Sequence, residues 1–96
     1  MDQIRHFCVQ GRVQGVWYRS WCQETARTLH IKGFVRNRQN GQVEVYAVGL
    51  EEVLDLFVSK CKQGPLLARV DKITPAPSDG QDTVQLTDDF LILGTK

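Results

Sequence analysis

A cation stands where a helix is about to begin. The stretch GRVQGVWYR, Gly11 to Arg19, links a strand-like run to a helix-like one and ends on arginine. Gly11 and Gly15 bracket three residues, and Gly15 adopts positive φ at little cost. A tight loop entering a helix leaves several backbone N–H groups without an intrahelical acceptor, a concavity suited to phosphate. Arginine beside the positive end of a helix is unfavourable by about 0.3–1 kcal/mol. A bound phosphate reverses that sign, because each charge-assisted hydrogen bond contributes roughly 1.5–3 kcal/mol. No Lys-Ser/Thr follows the second glycine, so this is not a Walker A loop. Taken alone, the segment also reads as a tight connection carrying a surface arginine.

Asn37 is the second residue of chemical interest. The run GFVRNRQNGQVEVYAV holds two strand-like segments around Asn40-Gly41. A two-residue Asn40-Gly41 loop pairs Arg38 with Val43 and Arg36 with Val45, which mixes charge into the apolar face. A type I turn at Gln39-Asn40 with Gly41 as a left-handed bulge shifts the pairing by one. Val35 then meets Val45, Arg36 meets Glu44 and Phe34 meets Tyr46. One face becomes Val35, Val43, Val45 and Ala47, with a single polar residue, Asn37, at its end. A buried amide needs partners. It either caps the hairpin turn or holds a water.

The other reactive side chains give less. His6 and His30 fall on separate elements with no carboxylate at suggestive spacing, and both read as structural or surface residues. Cys8, Cys22 and Cys61 are an odd number without a C-x-x-C pair, which argues against a disulfide framework or zinc site and for buried thiols in a reducing compartment. Asp88-Asp89 reads as a solvated pair, not a metal site. Arg36 with Glu44 is expected to be an exposed cross-strand pair worth under about 1 kcal/mol.

These residues need a scaffold. The 96 residues predict one domain over 1–96, with a single core. A net charge of +1 gives no global attraction to nucleic acid or anionic membranes, so any anion preference is local. No leader precedes the first strand-like run and no segment reaches membrane-spanning length, which makes the cytoplasm the expected location. Residues 4–11 alternate as a strand, with Phe7 and Val9 on one face. Residues 20–32 carry a helical stripe of Trp21, Cys22, Ala26 and Leu29, with Gly33 at its left-handed end. Residues 51–62 form a second helix with Val53, Leu54, Phe57, Val58 and Cys61 inward and Gly64-Pro65 as its stop. Residues 67–73 and 83–93 read as strands joined by the turn-rich TPAPSDGQD. The order β-α-β-β-α-β is that of the α+β ferredoxin-like split βαβ sandwich, an antiparallel sheet with two helices on one face.

GRVQGVWYR together with GFVRNRQNGQVE closely resembles the two signatures of the acylphosphatase family. These are a Gly-x-Val-Gln-Gly-Val-x-Phe/Tyr-Arg loop and a Gly-aromatic-Val-Lys/Arg-Asn hairpin ending in Gly-x-Val-Glu. The close match covers residues 11–19 and 33–44. One departure is the ending FLILGTK, where the family often has a basic residue after Phe-x-Ile; Phe90 and Ile92 keep the apolar part, so an effect on edge stability or substrate access is expected. The resemblance implies that Arg19 binds phosphate, that backbone N–H groups of Gln14, Gly15, Val16 and Trp17 complete the cradle, and that Asn37 orients the attacking water. The implied reaction is hydrolysis of an acyl phosphate to carboxylate and inorganic phosphate, with no metal and no cofactor. A carboxylate leaves readily, and phosphoryl transfer through a loose transition state asks mainly for positioning and charge stabilisation.

Two other classes compete. KGFVRN, from Lys32, begins like an RNA-binding RNP1 motif but departs at Val35 and Arg36. A non-catalytic anion-binding module on the same scaffold is the third. The expectation is a monomeric enzyme acting on a small acyl phosphate, without nucleic-acid or membrane partners. Trp17 and Trp21 either shape an acyl pocket or pack, and packing is the expectation.

Overall fold

A computed structural model describes residues 2–76 and 87–96. The strands are β1 (Gln3–Arg12), β2 (Lys32–Asn37), β3 (Val43–Gly49), β4 (Arg69–Pro75) and β5 (Phe90–Ile92); the helices are α1 (Tyr18–Thr28) and α2 (Glu51–Gln63). They form one five-stranded sheet in the order β4-β1-β3-β2-β5. The four larger strands pair antiparallel, and β5 joins the edge parallel to β2. The ferredoxin-like α+β fold is thus present, with a mixed sheet where an antiparallel one was expected. The first residues of the strand expected over 83–93, and most of the connection before it, lie outside the described residues.

The hairpin follows the bulged register. Val35 pairs with Val45, Arg36 with Glu44 and Asn37 with Val43. Arg38 N–H donates to Gln42 O at 2.8 Å, Gly41 N–H to Arg38 O at 3.1 Å, and Gly41 has φ 92°. Val9, Val35, Val43, Val45 and Ala47 are fully buried against Cys22 and Ala26 of α1 and Leu54, Phe57 and Cys61 of α2. The apolar face chosen by register is therefore the face that the helices cover.

Both ends of α1 differ from the sequence expectation. Trp17, in the left-handed region at φ 67°, ψ 19°, starts the helix two residues early. At the other end the helix closes at Thr28, not at Lys32. His30 turns left-handed at φ 58°, His30 N–H bonds Arg27 O at 3.1 Å and Ile31 N–H bonds Ala26 O at 2.9 Å. This is the Schellman arrangement, and it lets Ile31 bury against the core. Gly33 has a different duty. It lies inside β2 at φ 136°, where a Cβ would sit 1.8 Å from the Tyr46 carbonyl oxygen.

The opposite face of the sheet corrects a second expectation. Arg36 and Glu44 are each only 4% exposed, so they are not a solvated surface pair. Glu44 Oε1 accepts from Arg36 Nε at 2.8 Å and Arg38 Nη1 at 3.1 Å, and Oε2 lies 2.6 Å from His6 Nε2. The Phe34 and Tyr46 rings stack at 5.4 Å, and the Arg36 guanidinium lies 5.2 Å from the Phe34 centroid. Aromatic cover and three donors draw the carboxylate inward. Burial pushes the Glu44 carboxyl up, but the hydrogen bonds and charges of Arg36 and His6 outweigh it and hold it below its ordinary value. His6 has its carboxylate after all, supplied by strand pairing across 38 residues of sequence.

Candidate active site

Three elements meet at one end of the sheet. Val9 of β1 pairs with Val43 of β3, and Val43 pairs with Asn37, so the amide ends a row drawn across three strands. The loop following β1 leaves from that end. Helix α1 runs away from it and β2 returns, so the first turn of α1 and the last residue of β2 lie at the same end of the sheet.

The two helix starts carry opposite charge. Helix α2 has Glu51 and Glu52 in its first turn, whereas α1 has no acidic residue there and holds Arg19 instead. The first α1 bond runs from Trp21 N–H to Trp17 O at 3.0 Å, leaving the amides of Tyr18, Arg19 and Ser20 without a helical acceptor. The N–H groups of Gln14, Gly15, Val16 and Trp17 donate no hydrogen bond among the described residues. Arg19 is half-buried and forms no ion pair among those residues. A cavity of about 370 Å³ joins Gly15, Trp17 and Arg19 to Ile92 of β5. A second cavity, about 410 Å³, lies between β1, β4 and α2, but its Arg5 is already bonded to Asp55 at 2.9 Å.

Asn37 presents the complementary feature. Its Oδ1 is buried and has no hydrogen-bond partner, alone in this respect among the described side chains. Its backbone is well held: Asn37 O accepts Lys96 N–H at 3.0 Å, Gln39 N–H reaches Lys96 O at 3.3 Å and Leu93 N–H reaches Val35 O at 2.9 Å. The amide is not a turn cap, since the turn is closed by Asn40 Oδ1 accepting Gln42 N–H at 3.0 Å. Asn37 does not line the cavity of Arg19. The two are linked through Ile92, which lines that cavity and pairs with Val35, two residues before Asn37.

Gln14 links them more directly, by a contact that sequence reading missed. Its Nε2 donates to Arg38 O and to Gln42 O, both at 2.8 Å, tying the loop to the hairpin just past Asn37. Such a cross-link joins residues 24 and 28 positions apart, and no local pattern signals it. Val16 is buried and anchors the loop from within.

The tryptophans part company. Trp21 packs against the core, its ring 5.4 Å from Tyr18, as expected. Trp17 does not pack: it is 76% exposed. Its left-handed backbone costs a non-glycine residue about 1–2 kcal/mol.

The remaining candidates are occupied or distant. Asp89 accepts from Arg27 Nε at 2.9 Å and Nη2 at 2.8 Å, and no group of three potential metal ligands occurs among the described residues. Phe34, which an RNA-binding reading would use for base stacking, is 4% exposed and stacked on Tyr46. No helix among the described residues is long and apolar enough to cross a membrane.

The acylphosphatase family model matches residues 5–92. An acylphosphatase of Rhodopseudomonas palustris (strain BisB5) is 42% identical over 95 residues, covering 96% of this chain and 95% of that one. The crystal structure of acylphosphatase from Bacillus subtilis has a TM-score of 0.79 at 34% identity, covering 97% of this chain and 99% of that chain. An acylphosphatase from Coxiella burnetii reaches 0.80 at 26% identity, over 96% and 93% of the two chains. With both glycine-loop and hairpin motifs folded to one end of a matching sheet, the chain belongs to the acylphosphatase family.

Proposed function

We propose that this single-domain protein hydrolyses acyl phosphates with Arg19 and Asn37 as its catalytic residues. The observation that carries the reading is the half-buried Arg19, unpaired among the described residues, in the first turn of an acid-free helix and in one cavity with Gly15 and Trp17. The phosphoryl oxygens are held by the Arg19 guanidinium and by the loop amides of Gln14, Gly15, Val16 and Trp17. The Asn37 amide, whose Oδ1 has no partner among the described residues, accepts a hydrogen bond from the attacking water and aligns it with phosphorus.

The chemistry balances without an added base. The water oxygen forms a bond to phosphorus while the phosphorus bond to the acyl oxygen breaks, and that electron pair stays on the departing carboxylate. The proton of the water passes to a phosphoryl oxygen, and inorganic phosphate remains. A loose transition state spreads charge over the equatorial oxygens, where a guanidinium and fixed amides stabilise it most. The protein is inferred to work as a monomer, and in the cytoplasm, the location that three free, buried cysteines support.

Benzoyl phosphate hydrolysis, followed with a chelator present, is the test. Rapid release of benzoate and phosphate supports the reading, and no release by well-folded protein removes it.

A further inference from the structure

We propose that the Trp17 indole, with Ile92 of the same cavity, forms the acyl-binding wall of the site and gives preference for aromatic and long apolar acyl groups over acetyl. The inference rests on Arg19 as phosphate ligand. Once the phosphoryl group is held at Arg19 and the loop amides, the acyl group must extend from it along the same cavity. The exposed apolar side chains lining that cavity are Trp17 and Ile92, the latter 39% exposed.

Trp17 has no structural occupation that would explain its type. It is the residue preceding α1, yet makes no side-chain cap, and its indole has no ring partner among the described residues. Its left-handed backbone suits Gly or Asn far better. A large aromatic that is strained, uncovered and set on the rim of a site beside a cation unpaired among the described residues is suited to stacking on a ligand. Trp21, four residues on, shows the ordinary fate of an indole in this fold: it is packed into the core.

The test compares kcat/KM for benzoyl phosphate and acetyl phosphate in the wild type, W17A, W17F and I92A. Any disturbance of the phosphate cradle acts on both substrates and cancels in their ratio. W17A should lower the benzoyl-to-acetyl ratio up to about tenfold, mainly through KM for benzoyl phosphate. W17F should restore most of it, and I92A should give a smaller drop. W17G, which relieves the backbone strain, should show the same loss in a protein that melts above W17A. A ratio unchanged within about twofold in both W17A and W17G overturns the proposal. If the wild type turned over neither substrate, the hydrolase reading would fall. The relative binding of phenylphosphonate and methylphosphonate would then decide the role of Trp17, with equal effects of W17A on the two overturning it.

Discussion

Gln14 Nε2 donates to the Arg38 carbonyl oxygen at 2.8 Å, and this contact sets the loop between β1 and α1 against the strand end that bears Asn37. The same nitrogen reaches Gln42 O at 2.8 Å, so one amide group closes the mouth of the hairpin onto the loop. A residue expected to contribute its backbone thus also ties the loop to the hairpin through its side chain. Gln14→Ala removes two partly buried hydrogen bonds and should cost about 1–3 kcal/mol of stability. It should also lower kcat more than phosphate affinity, since the loop and Asn37 lose their shared reference. Urea unfolding alongside steady-state kinetics measures both, and unchanged kcat would rule out the alignment role.

Arg19 and Asn37 should fail differently. Asn37→Ala should lower kcat by about 10²–10³, the scale of one preorganised polar group, while inhibition by inorganic phosphate stays close to wild type. Arg19→Ala should weaken phosphate inhibition and turnover together. Arg19→Lys should recover only part, because an ammonium lacks the planar fork. Near-full turnover in Asn37→Ala would show that the amide does not orient the water.

Glu44 ties stability to pH. A carboxyl held below its ordinary value binds its proton less readily in the folded protein. Its contribution is therefore complete above the ordinary carboxylate range and is lost as pH falls through the folded-state value. Glu44→Gln should destabilise the fold at neutral pH by roughly 3–5 kcal/mol, as Arg36, Arg38 and His6 lose their shared carboxylate. The gap between variant and wild type should shrink as the pH falls below the carboxylate range. Denaturation midpoints measured across acid pH test this; a gap constant with pH contradicts it.

Two glycines with positive φ should respond unequally to alanine. At Gly15 nothing lies within 4 Å of a new Cβ, so only the backbone conformation is charged against it, about 1–2 kcal/mol. At Gly33 the Cβ would lie 1.8 Å from Tyr46 O, and strands β2 and β3 would have to separate. Gly33→Ala should cost more than about 3 kcal/mol or prevent folding. Thermal melts of the two variants distinguish these sites.

Sequence carried the architecture wherever a periodic pattern had to bury one face. The hairpin register was legible because only one pairing kept charge off the face of Val35, Val43 and Val45, and that face is the one the helices cover. Helix ends were less legible. Gly33 looks like a helix stop, yet His30 takes the left-handed turn because burial of Ile31 requires the chain to reverse sooner. Arg36 and Glu44 looked like a surface pair because cross-strand spacing says nothing about the aromatic cover and the distant His6 that surround them. The candidate residues sit in two short motifs and could be named from local sequence; the Gln14 bridge between the two motifs is a long-range contact and could not.

The unequal helix starts bear finally on the rate of encounter. A chain of net charge +1 exerts almost no long-range pull on a dianion. The acid-free start of α1, with Arg19 in its first turn, gives one end of the molecule a positive potential that the glutamates of α2 deny to the other helix start. With Arg19 in the role proposed for it, capture of a phosphorylated substrate is guided only over the last Debye length, about 8 Å at physiological salt. Added salt should slow association at this mouth while leaving the bound reaction untouched, so that kcat/KM falls with ionic strength and kcat does not.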